Sequence, residues 1–333
     1  MLEMDAFRAV LRGLRQPRRQ PVPLLGDRPV GELAVRRSWD SCLDAAGIRG
    51  RALRADFTCA SRTLLRRRLS MWAPARLLAP AEDLPFGLAC AALHVLSDDI
   101  CDTGSAPERR RRFEAWCGEL RSAVETGSSR HPVVRAYLHT SGVRGLSHRW
   151  LHSYLDGALA DVDFAGFADE AAYQRYVETL TWPGMMLTVG LTPRLVSEDV
   201  FASSWRWVAD TVQRTDILMD LSRDMREGRL YLPVSDLEHF GVRPSDLAAG
   251  RDTPGVRSLI AASAQRGLTS LGSARRVVDE VAPSYRPVTR FVLDLCQHRL
   301  QMVLAAGAAV TRRPVRDEPL TCLRLLARAR RAR

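Results

Sequence analysis

Residues 213–233 read QRTDILMDLSRDMREGRLYLP, and the fold turns on how this stretch is read. Asp216, Asp220 and Asp224 recur every fourth residue, with Ile217, Leu218 and Leu221 between them. At 3.6 residues per turn the acids stack along one side of a helix, and the apolar residues face another. Like charges stacked this way cost a helix roughly 0.2–0.5 kcal/mol per pair. Gly228, a helix-stop signal, follows Asp224 within four residues, so the stack runs toward the negative end of the helix macrodipole. Such a column calls for a cation.

A second acidic stretch has the same design. In LHVLSDDICDTGS, residues 93–105, Asp98 and Asp102 are four apart, and Thr103-Gly104 marks the end of the helix. Leu96 and Ile100 give this pair an apolar setting too. Either motif alone reads equally well as solvated acids paired with arginine, and Arg223 and Arg226 stand close enough in sequence to serve the second.

Outward from these motifs the pattern stays helical. LPFGLACAALHVLSDDICD is apolar nearly all round, as a helix inside a bundle must be. The next helix, from Ala106, has Ser105 as its cap and Pro107 in its first turn. Further helical stretches follow to Val310, with no sustained strand alternation and no internal repeat. The expected fold is all-α, a single-domain helical bundle with a central cavity. The Pro- and Arg-rich residues 1–31 are expected as a mobile arm, 32–312 as the domain and 313–333 as a basic tail.

The chain has 333 residues, a net charge of +11 and 46% hydrophobic content, enough for a sizeable core. It contains neither lysine nor asparagine, so the basic excess is all arginine and reads as a composition bias. The basic runs near Arg15, Arg109 and Arg328 lack interleaved aromatic residues, which argues against a nucleic-acid surface. A pull on phosphate-bearing ligands, and a peripheral contact with an anionic membrane, stay compatible with the charge. Seven dispersed cysteines with no CxxC pair suggest free thiols in a reducing, cytoplasmic setting. No apolar stretch is expected to span a bilayer, and the Arg-rich start carries Glu3 and Asp5, unlike a signal peptide.

The chemistry that suits two such motifs is Mg²⁺ or Mn²⁺ on a diphosphate. Mg²⁺ takes one or two carboxylates, keeps waters and fills its shell from substrate phosphates. Arg226, Arg229 and Tyr231 offer donors to the phosphate oxygens, and an apolar, aromatic cavity would tolerate an allylic cation.

The stretch 213–233 resembles the second aspartate-rich motif of the squalene/phytoene synthase family, with Asp220, Asp224, Arg226, Gly228, Arg229, Tyr231, Leu232 and Pro233 in step. SDDICD is similar to the family's first motif, and the likeness runs from about Leu53 to Val310. It implies an isoprenoid-synthase fold, with Asp98, Asp102, Asp220 and Asp224 on the metal and Gln213 and Asp216 lining the same face. Asp161 also matches an acid of the family pattern.

Departures from the pattern shape the expected reaction. Asp216 stands where the family has Asn, and Met219 where it has a phosphate-facing Arg. After Tyr176, where the family has small residues, the chain has Trp182 and Pro183, and a proline within a helix kinks or breaks it. The chain also resembles a bacterial branch that prenylates aromatic, carbazole-type molecules. The expected activity is therefore transfer from an allylic prenyl diphosphate to a small aromatic acceptor. Trp182 then shapes the acceptor slot, and Asp216 and Tyr176 are the catalytic candidates, with Asp216 taking the released proton. The alternative is head-to-head joining of two prenyl diphosphates. A third reading is a non-enzymatic basic protein that binds nucleic acid or membrane.

Overall fold

The computed structural model describes residues 38–331 other than Thr103 and Asp163, and the side chains of Asp102 and Ala106 lie outside the description. The expected arm, residues 1–31, and residues 32–37 are likewise outside the described residues. In chain order the helices are α1 (Trp39–Ala45), α2 (Arg51–Arg67), α3 (Leu69–Leu78), α4 (Leu84–Asp102), α5 (Ala106–Thr126), α6 (Pro132–Arg144), α7 (Arg149–Asp161) and α8 (Glu170–Tyr176). A π-helical turn, Val177–Thr181, leads into α9 (Trp182–Val189). Then come α10 (Glu198–Arg226), α11 (Val234–His239), α12 (Pro244–Ala248), α13 (Pro254–Ala274), α14 (Val277–Glu280), α15 (Arg286–Ala306) and α16 (Pro319–Arg331). Among the described residues the only strand-like pairing is an isolated bridge between Arg194 and Val281.

The opening stretch is the end of the 29-residue α10. The Ser197 hydroxyl caps its start by accepting from Val200 N–H, and Glu198 and Asp199 sit in the first turn, where the macrodipole favours acids. Gly228 closes the other end at φ +76°, in the left-handed region. Phe201, Trp205, Val208, Ile217, Leu218 and Leu221 bury its apolar side, and α13, α15 and α9 pack around it. Ser105 caps α5 as expected, with Pro107 in the first turn, and Glu108 completes a capping box.

The two larger apolar clusters hold most of the helices together. One gathers Phe57, Phe86, Leu93, Phe113, Tyr137 and Leu151 from α2, α4, α5, α6 and α7. The other gathers Phe167, Tyr173, Leu218, Ile260 and Leu300 around α10, α13 and α15. Each fully buried large side chain contributes roughly 1.5–3 kcal/mol. Trp182 and Met185 pack against both cores.

Three expectations need correction. Pro183 does not break a helix: it lies in the first turn of α9, where no backbone N–H is needed, and the π turn absorbs the change of direction. Close helix approach is also retained through glycine, since a Cβ at Gly157 would collide with the Thr179 carbonyl and one at Gly184 would lie 2.8 Å from His94 Nε2. Second, residues 319–331 are a helix within the expected basic tail. Cys322, Leu325, Leu326 and Ala329 recur at helical spacing and pack with Leu78, Phe291 and Leu295, beneath a surface of arginines. Third, Leu84–Cys101 is long and apolar enough to cross a membrane by composition, with mean hydropathy 1.3, and 67% of it is buried in the bundle.

Candidate active site

The first motif sits in the last turns of α4, against the junction of α2 and α3. The backbone leaves the helix at Arg68 (φ −141°, ψ 67°) and turns two guanidinium groups onto the acids. Arg68 Nη2 donates to Asp98 Oδ2 at 3.3 Å and lies 3.7 Å from Asp99 Oδ1, while Arg67 donates to Asp99. Sequence reasoning missed both arginines. The signal was there in Arg66-Arg67-Arg68, a basic run at a helix end. One turn before Asp98, His94 packs edge-on against Tyr154 at 4.8 Å, and burial lowers its pKa, which favours the neutral imidazole. Asp102 is the last residue of α4, and its side chain lies outside the described residues.

The second motif is more crowded with charge. Asp220 accepts from Arg223 Nη2 at 2.7 Å, and the same guanidinium lies 3.7 Å from Asp224. The local pairing expected for Arg223 is therefore present, whereas Arg226 is exposed and has no ion pair among the described residues. Asp224, 13% accessible, has its pKa pushed up to about 6, chiefly by burial and further by Asp220, against the pull of Arg223. Asp216 is also pushed up to about 6, again by burial first, although 55% of its side chain is accessible. Gln213 Oε1 accepts from the Thr181 hydroxyl at 2.8 Å, which ties this face of α10 to the π turn.

Two electrostatic links bring the motifs together. Arg68, bonded to Asp98, also acts on Asp216. Asp98 in turn helps raise the pKa of Tyr176, after burial, Asp161 and Tyr231. Tyr176 is hydrogen-bonded with Asp161. Burial raises the pKa of Tyr231 to about 12, Asp161 adding to the effect and a hydrogen bond with Arg229 opposing it. Phe164 stacks on Tyr231 with ring centroids 4.4 Å apart, and Phe167 meets Tyr176 at 5.2 Å, so a patch of π faces adjoins the acids. The sequence did not single out either phenylalanine. Behind α10, buried Asp210 accepts from Arg214 at 3.1 Å and from Gln174 at 3.1 Å, fixing the helix that carries Tyr176.

Trp182, expected in an acceptor slot, is a joint between the cores. Its indole N–H donates to the Ala202 carbonyl at 2.9 Å, and its ring meets Trp150 at 5.0 Å. It is only partly buried.

The donor set fits a hard divalent cation. Among the described residues no three His, Cys, Asp or Glu side chains converge tightly enough to form an all-protein metal cage. Facing carboxylates that leave most of the shell to water and phosphate oxygen are the usual Mg²⁺ arrangement, and Mn²⁺ accepts the same ligands. The raised pKa of Asp224 comes chiefly from burial, with Asp220 and Glu227 adding to it.

Comparison with known proteins follows the same lines. Residues 73–321 match the squalene/phytoene synthase family. A bifunctional CrtB/UppS protein of Streptomyces coelicolor is 28% identical over 218 residues, which cover 64% of this chain and 38% of that relative. A presqualene diphosphate synthase of Rhodopseudomonas palustris is 25% identical over 221 residues, 66% of this chain and 78% of the relative. The chain thus spans well under half the length of the first and about three quarters of the second. The crystal structure of a squalene synthase from Alicyclobacillus acidocaldarius covers 81% of this chain and 100% of its own, with TM-score 0.69 and 24% identity, a likeness of fold. The expected aromatic acceptor gains no support from these relatives, and the head-to-head alternative fits them better.

Proposed function

The chain belongs to the squalene/phytoene synthase family, and from that premise we propose that it joins two allylic prenyl diphosphates head to head, releasing diphosphate. The observation that carries this reading is the electrostatic proximity of the two acid motifs, through Arg68 between Asp98 and Asp216 and through Asp98 near Tyr176. Asp98, Asp102, Asp220 and Asp224 would hold Mg²⁺. When bound, that ion neutralises the charge that develops on the leaving diphosphate.

The protein's own groups account for the rest. Arg67 and Arg68 at one motif, and Arg226 and Arg229 at the other, give donors to phosphate oxygens from both sides. Ionisation breaks the C–O bond, and the electron pair leaves with diphosphate. The double bond of the second prenyl diphosphate attacks the allylic cation, a C–C bond forms and one proton is lost. Tyr176, Tyr231, Phe164 and Phe167 present π faces to the cation. Asp216, with its pKa at about 6, is mostly ionised at neutral pH and basic enough to receive the proton.

The test supplies labelled geranyl, farnesyl and geranylgeranyl diphosphates with Mg²⁺. Diphosphate release accompanied by a product containing two prenyl units supports the proposal. Hydrolysis to a prenyl alcohol alone, or transfer of one prenyl unit to an added indole or carbazole, would overturn it.

A further inference from the structure

The charge facing Asp216 comes from a distant part of the chain. Arg299, on α15, is 18% accessible and presents Nη1 at 3.7 Å from Asp216 Oδ1. The rest of its guanidinium is occupied by Asp317, with Nε to Oδ1 at 2.8 Å and Nη2 to Oδ2 at 2.6 Å. Asp317 lies on the segment between α15 and α16, which is fastened to α10 nearby, where Val315 N–H donates to the Met219 carbonyl at 3.1 Å. A forked pair of this kind fixes a guanidinium in plane and in depth. The 3.7 Å gap to Asp216 is too long for a hydrogen bond, although the two opposite charges attract. Asp317 thus restrains Arg299 from closing on the acid.

We propose that Arg299 is a positioning residue for Asp216 and that Asp317 is its lock, holding the guanidinium close enough to orient the carboxylate and far enough to leave it free as a proton acceptor. The segment 312–318 becomes part of the reaction site without touching substrate. The proposal rests on the reading of Asp216 given above.

Its sharpest consequence concerns Asp317→Asn. With the lock opened, Arg299 closes on Asp216 and ties up the carboxylate. The variant loses kcat by roughly 10-fold or more, with KM within about 2-fold, as expected when an interaction of the reacting step alone is removed. Adding Arg299→Gln to that variant recovers part of the loss, because the quenching cation has gone, and Asp317→Glu keeps most of the activity. A purely structural salt bridge gives the opposite result: the double variant does no better than Asp317→Asn, and losses follow the thermal midpoint. Crystal structures of wild type and Asp317→Asn supply a readout independent of activity. Closure of Arg299 onto Asp216 to hydrogen-bond distance supports the lock, and an unchanged separation overturns it. If wild type releases no diphosphate at all, the proposed reaction fails, and the two structures still decide the lock.

Discussion

The two acid motifs solve the same electrostatic problem in different ways. Asp98 and Asp99 are met by Arg67 and Arg68, cations delivered from a neighbouring helix junction. The column on α10 has Arg223 from its own helix at Asp220 and the restrained Arg299 at Asp216. Burial leaves Asp216 and Asp224 with pKa values pushed up to about 6. The first motif is compensated from outside its helix, whereas the second is compensated partly from its own helix and its acids stay raised chiefly by burial.

Removing the acids breaks this comparison most severely. Asp220→Ala and Asp98→Ala should each lower diphosphate release by about 10²–10³-fold, the scale of losing one preorganised electrostatic group, as read by steady-state kinetics. A double variant that loses no more than either single one would show that the two motifs act as one unit.

Stability against pH gives the next effect. The folded pKa of Asp224 lies at about 6, above its ordinary 3.8, so between those values the folded chain binds more protons than the unfolded one. Its contribution therefore favours folding at low pH and is lost as pH rises through 6. Asp224→Asn should stabilise the metal-free protein by on the order of 3 kcal/mol above pH 7 and by almost nothing near pH 4, in denaturant titrations at the two pH values. Asp216 is more accessible, so screening makes its effect smaller. Added Mg²⁺ should erase most of the Asp224→Asn advantage.

A smaller change sharpens the contrast from the other side. Arg68→Gln should raise KM for the prenyl diphosphate by roughly 10-fold, the scale of one charge-assisted bond, with less change in kcat. Ser105→Ala, which removes the cap just beyond Asp102, should cost about 1 kcal/mol in thermal unfolding and leave the chemistry intact.

The helices and the α10 column were legible in the sequence because both depend on neighbours three and four residues apart. The arginines that complete the site were not, because their partners are distant in the chain. Arg68 meets Asp98, and Asp317 reaches Asp216 only through Arg299, by contacts that no local spacing reveals. Local composition misled twice. The arginines of 319–331 hid the stripe of Cys322, Leu325, Leu326 and Ala329, and Pro183 read as a breaker because a π turn leaves no pattern in sequence. Trp182 suggested a slot through its novelty, while its role depends on packing partners at Trp150 and Ala202.

That tryptophan has a mechanical consequence. Trp182 and Met185 belong to the packing of both cores, so neither half can loosen without pulling the shared side chains out of the other. Heat should then melt residues 38–331 in one calorimetric event, and replacing this ring by alanine should lower its midpoint and broaden it, with Met185 still shared by both cores.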